Sequence, residues 1–294
     1  MNSKNILSII KSSMLILLVM LTVVDTADAQ KRKNRKGKRG GGGEPTILKD
    51  LPTFFVNDNV LPKYLKLVYK RDATRLALRL LNKEQRVSKQ TVKVPEELVE
   101  AIYSALVAVR VSDFGAIDTI AKKYNVRSFP VPNVENVILV FEHDAPWVEP
   151  LKQRQDTTAS VTINSIIRKY NLVMTKMIYL DEERAGLVLK SREPLNMPAL
   201  MMKFFTEEGV GSIEEILPYG DGNDIVIERT NTGWDLKYSV RFGNCVHQCQ
   251  KYHDWSFSVS EEGEVTYNGS GGQTIPPWIK QDSRQAKFPD VIKK

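Results

Sequence analysis

The chain has 294 residues, 42% of them apolar and 26% charged, with 42 lysines and arginines against 35 aspartates and glutamates. That length supports one large or two small domains with proper cores, and only two cysteines exclude a scaffold held mainly by disulfides. The net charge of +7 is confined to one segment: Lys4 and Lys11 balance Asp25 and Asp28, residues 31–39 carry seven cations, and residues 40–294 are neutral. A nucleic-acid-binding fold clusters cations and aromatics on its folded surface, so this balance speaks against a specific nucleic-acid partner.

Residues 1–29 read as an export signal. Lys4 and Lys11 are basic, Met14 to Val24 is apolar, and Ala27 and Ala29 are the small residues a signal peptidase inspects, which predicts cleavage after Ala29. The apolar stretch falls short of the roughly 20 residues a membrane span needs, so a secreted or periplasmic location is expected. Retention as an anchor is the alternative, because the basic block that follows opposes translocation. Residues 30–45 read as a disordered, Gly-rich basic linker. Its cations, Lys31, Arg32, Lys33, Arg35, Lys36, Lys38 and Arg39, suit a tether to an anionic envelope polymer or lipid surface, or else a solvated linker whose charge is incidental.

Residues 46–134 read as a helical region. Asp72 is placed to cap a helix carrying Leu76, Ala77, Leu80 and Leu81, and Pro95 to open another with Leu98, Ile102, Ala105, Leu106 and Val109 on one side. Ile117, Ile120, Lys123, Tyr124 and Asn125 recur 46 positions later as Ile163, Ile166, Lys169, Tyr170 and Asn171, which suggests a duplicated supersecondary unit.

Residues 135–220 give the clearest module. Asn136 to Glu142 is an unbroken apolar run suited to a central strand. Ile163, Ile166, Ile167 and Tyr170 mark one face of a helix. Val173 to Leu180 and Ala185 to Lys190 form a hairpin about the polar run Asp181 to Arg184. Asn196 caps a helix with Pro198 in its first turn and Gly209 at its stop, and Val210 to Leu217 returns as a strand. The order of strand, helix, hairpin, helix, strand predicts an α+β protein with a ferredoxin-like split βαβ module.

Ile163 to Tyr170, Asn171, the hairpin, the run Pro194, Leu195, Asn196, and Leu200 to Phe204 followed by Gly209 and Val210 resemble the prodomain of subtilisin-type proteases. Similar modules followed by a short two-cysteine β region occur in exported bacterial proteins. The resemblance covers about a third of the chain. It implies a ferredoxin-like fold and recognition of a protease, although after Leu217 the chain enters further strands instead of the free tail with which such prodomains fill an active site.

Residues 221–294 read as an antiparallel β-meander, with an extended tail. Trp234, Leu236, Tyr238, Val240 and Phe242 alternate with Asp235, Lys237, Ser239 and Arg241; His253, Trp255, Phe257 and Val259 share a face of the next strand, and Val265 and Tyr267 continue a third. A meander with one apolar face must pack on the module or on the upstream helices. Cys245 and Cys249 fall in the loop between the first two of these strands. In an oxidising compartment they form a disulfide; the alternative is zinc held by Cys245, His247, Cys249 and His253. Asp221, Asn223, Asp224 and Glu228 offer hard oxygens beside glycines without calcium-loop spacing, which reads as a turn before a strand. Catalytic motifs are not evident: the chain has no Gly-x-Ser-x-Gly elbow and no phosphate-binding glycine loop. The expected function is therefore that of an exported, non-catalytic binding protein without a cofactor, recognising an extracellular or periplasmic protein. The alternatives are a zinc-binding domain or metalloenzyme and an envelope or matrix protein tethered by its basic tail.

Overall fold

The computed structural model describes residues 48–279, apart from residue 53 and residues 85–90. The expected export signal and every cation of the 31–39 block lie outside the described residues.

The protein is α+β, with two four-stranded antiparallel sheets. The first comprises β1 (Asn136–Glu142), β2 (Leu172–Tyr179), β3 (Arg184–Ser191) and β4 (Val210–Glu215), in the order β2-β3-β1-β4. The central position of β1 follows from its unbroken apolar run, which suits a strand paired on both sides. Leu139 faces Leu187 across one ladder and Ile213 across the other. A four-residue helix α3 (Glu149–Lys152) follows β1, α4 (Val161–Lys169) precedes β2, and α5 (Met197–Phe204) connects β3 to β4. This is the strand order of a split βαβ sheet.

Local chemistry sets the helix ends. Ser160 Oγ accepts from the Ile163 backbone N–H at 3.0 Å and caps α4. Asn171 stops it with φ of +50°, a left-handed conformation that asparagine tolerates better than other residues with a Cβ. Gly209 stops the chain after α5 with φ of +79°; a Cβ there would lie 2.8 Å from the Ala145 Cβ. Asn196 stands at the start of α5 as expected, but its side chain makes no capping bond. Its amide instead donates to the Thr91 carbonyl at 3.0 Å, tying the module to the segment before Pro95.

The second sheet runs β5 (Asp224–Thr230), β6 (Gly233–Phe242), β7 (Lys251–Ser260) and β8 (Val265–Gly272) in chain order. β5 is an addition to the expected meander; the Asp and Gly residues just before it obscured the pattern of Ile225 and Ile227, which are both buried.

Two long helices, α1 (Lys63–Lys83) and α2 (Glu96–Val111), precede the first sheet. α1 begins nine residues before Asp72, so the expected cap lies inside the helix. The reason is that Leu65, Tyr69 and Ala73 continue the apolar stripe upstream at helical spacing.

The cores do not follow the expected consecutive blocks. α1, α2 and one face of the second sheet share a core that includes Leu76, Leu98, Ile102, Leu106, Trp234 and Phe257. The first sheet, α4 and α5 share another, with Leu139, Phe141, Ile163, Leu187, Leu200 and Phe204 at its centre. Thus the described parts of residues 46–134 and 221–294 build one layer pair together, and the split βαβ module is inserted between them. An amphipathic helix pair and a one-faced meander each leave an apolar surface that the other covers. Both cores belong to one compact unit.

The expected duplication is also corrected. The first copy is a π-helical turn, Asp118–Lys123, packed with the helices and the second sheet, and no strand pair follows it before β1. What the copies share is the stop signal: Asn125 and Asn171 both take positive φ, and Lys123 and Lys169 lie over the rings of Tyr124 and Tyr170.

Candidate functional site

Cys245 and Cys249 form a disulfide that closes the loop between β6 and β7. Asp221 anchors this clip: one carboxylate oxygen accepts from the Cys249 backbone N–H at 3.0 Å, and the other from Arg241 Nη1 at 3.0 Å. Gly220 permits the approach, since at φ +80° a Cβ would meet the Cys245 carbonyl oxygen at 2.4 Å. Burial opposes ionisation of Asp221, yet the N–H groups of Cys249 and Gly222 together with Arg241 hold its carboxyl below the usual range.

The zinc quartet is not brought together. His247 is exposed, while His253 turns its Nδ1 to the Gln273 carbonyl at 3.0 Å and packs its ring 4.7 Å from that of Trp255. Among the described residues no group of three or more His, Cys, Asp or Glu side chains is arranged to hold a metal. The oxygen donors considered for calcium have other partners: Asp224 accepts from Arg79 and from two backbone N–H groups and forms an ion pair with Arg241, and Glu228 pairs with Lys83.

Sequence reasoning missed a second group of residues, a buried ionic cluster centred on Asp72. Ser128 donates its hydroxyl to Asp72 Oδ1 at 2.6 Å, Arg75 Nη1 approaches the same oxygen at 3.4 Å, and Arg127 Nη1 lies 3.8 Å from Asp72 Oδ2. The guanidinium of Arg127 stacks 4.3 Å from the centroid of Tyr69. Burial pushes the Asp72 carboxyl up, while Arg127, Arg75 and the Ser128 hydroxyl pull it back. Arg79, one turn on, reads the same loop: its Nε donates to the Val131 carbonyl at 2.8 Å and its Nη2 to the Phe129 carbonyl at 2.6 Å. Arg75 and Arg79 on one helix and Arg127 on a loop, within a neutral folded part, were the available signal, but Arg75 and Ser128 are 53 residues apart and nothing local pairs them.

The cluster floors a cleft of about 590 Å³ between α1, the loop after the π-helical turn, and the adjoining ends of β1 and β3. Its cations are Arg71, Arg75, Arg110, Arg127 and Lys190, and its carboxylates Asp72 and Glu135.

A third feature is the face of the first sheet turned away from α4 and α5. Because side chains alternate along a strand, Ile138 and Val140 of β1, Val188 and Lys190 of β3, and Val173, Lys176 and Ile178 of β2 stand on this side. The apolar ones belong to neither core, and all of these but Val140 are partly exposed. Gly186 sits between Ile138 and Ile178, where a Cβ would lie 3.0 Å from the former.

No family model, no curated protein sequence and no solved structure matches this chain.

Proposed function

We propose that the chain is an exported, non-catalytic binding protein that recognises an extracellular or periplasmic protein through the uncovered face of its first sheet. The observation that carries this reading is the partly exposed apolar patch of Ile138, Val173, Ile178 and Val188, beside the buried Val140. It spans three adjacent strands and packs into neither core. Contiguous apolar surface outside a core is the usual mark of a protein-interaction site. Partly exposed side chains on a sheet held from behind by two helices form a rigid surface that loses little entropy on association.

The resemblance to subtilisin-type prodomains supplies the first partner to try, since the split βαβ order is common to both. In this reading the helix and meander layers act as scaffold, and the basic 31–39 segment tethers the protein to an anionic envelope polymer or lipid surface. The test is inhibition of a panel of subtilisin-type proteases by the mature protein, alongside a Val188→Glu variant. Slowed proteolysis by the wild type, weakened at least tenfold in the variant, is the expected result. Absence of both inhibition and direct binding across the panel would contradict the proposal.

A further inference from the structure

We propose that the cleft above the Asp72 cluster is a binding site for a small organic oxyanion, a molecule bearing a phosphate, sulfate or carboxylate group. The volume of about 590 Å³ lies within the roughly 300–1,000 Å³ of ordinary small-molecule sites. The position fits as well, because such sites collect where two packed units meet, and this cleft opens between the helix layer and the inserted sheet.

The charges decide the ligand's sign. Five cations face two carboxylates, and both carboxylates are already engaged. Asp72 is shared among Ser128, Arg75 and Arg127, and Glu135 forms an ion pair with Arg71 Nε at 2.8 Å. Among the described residues Arg110 and Lys190 take part in no ion pair. A second observation concerns Arg127: its Nη1 is buried and takes no hydrogen bond, because 3.8 Å to Asp72 is beyond hydrogen-bond length. A guanidinium donor held in place by stacking on Tyr69, with a charge partner fixing its plane, is preorganised for a planar or tetrahedral oxyanion. Leu65, Val68 and Pro130 line the same cleft with apolar surface, and Tyr64 stands at the rim, 66% exposed. The ligand therefore has an organic body to rest on that wall, with its anionic group toward Arg110, Arg127 and Lys190.

The experiment is a titration of the mature protein with inorganic phosphate, sulfate and citrate, at an ionic strength held constant with chloride. Thermal unfolding and calorimetric binding are followed together, since a ligand of the native state raises its melting temperature. At least one oxyanion is expected to raise Tm above the chloride control. Its apparent affinity should fall at least tenfold in Arg110→Gln/Lys190→Gln, with Tm in chloride close to wild type. A variant with the seven cations of 31–39 replaced by glutamine should bind as wild type does. If the double variant does not fold, the exposed Lys190→Gln change alone must still weaken binding. The proposal is overturned if none of the three anions acts beyond chloride, if the effect survives the cleft substitutions, or if it disappears with the tail cations.

Discussion

At the scale of single residues, Asp72 shows how a position with an obvious local meaning acquires a different one from distant partners. An aspartate before an apolar helical stripe reads as a cap, but its main hydrogen-bond partner, Ser128, is 56 residues away. No local pattern encodes that contact. Asp72→Ala leaves Arg75 and Arg127 buried without their counter-charge, which is expected to cost about 3–5 kcal/mol. Urea unfolding of the two proteins measures it, and a loss below about 1 kcal/mol would mean the cluster is not a coupled unit. Asp221 offers a pH test. Its carboxyl titrates lower folded than unfolded, so its stabilising contribution is complete above the ordinary value of about 4 and is lost as pH falls through the depressed folded value. The Tm difference between wild type and Asp221→Asn should therefore shrink in acid, and a difference that stays constant from neutral pH to about pH 2 would refute the assignment.

At the scale of elements, periodicity was most informative where one face is buried and the other wet. The alternation in β6 and the one-sided stripe of α4 were legible for that reason, and both stand within a residue or two of their expected bounds. β5 was hidden because turn-forming Asp and Gly residues run up to its first position. The apparent duplication came from a real local similarity, the Lys-Tyr-Asn helix stop, extended too far: the stop depends on a few neighbouring residues, whereas the path of the chain beyond it depends on which surface needs covering. The stop itself is testable. Asn171→Ala places a Cβ-bearing residue without a local hydrogen-bonding side chain at φ +50° and is expected to cost about 1–2 kcal/mol, while Asn171→Gly should be close to neutral. Denaturant midpoints of the two variants decide it, and equal losses in both would show that the side chain matters for another reason.

At the scale of the whole molecule, the two cores cut across the expected blocks at 46–134, 135–220 and 221–294. Hydrophobic patterning shows that α1, α2 and the meander each have an apolar face; it does not show which faces meet. They meet across the inserted module, so the first and last thirds of the described chain stabilise each other. A fragment of residues 46–134 should accordingly show no cooperative unfolding transition by circular dichroism, and a sharp transition would contradict the shared core. Under the proposed function, the inserted module, with its helices behind and a partly exposed apolar face in front, is the part that meets a partner. Hydrogen exchange of the mature protein, with and without an inactivated subtilisin-type protease, tests this most directly. The account predicts added protection along β1, β2 and β3 with the second sheet unchanged; no added protection on those three strands would contradict it.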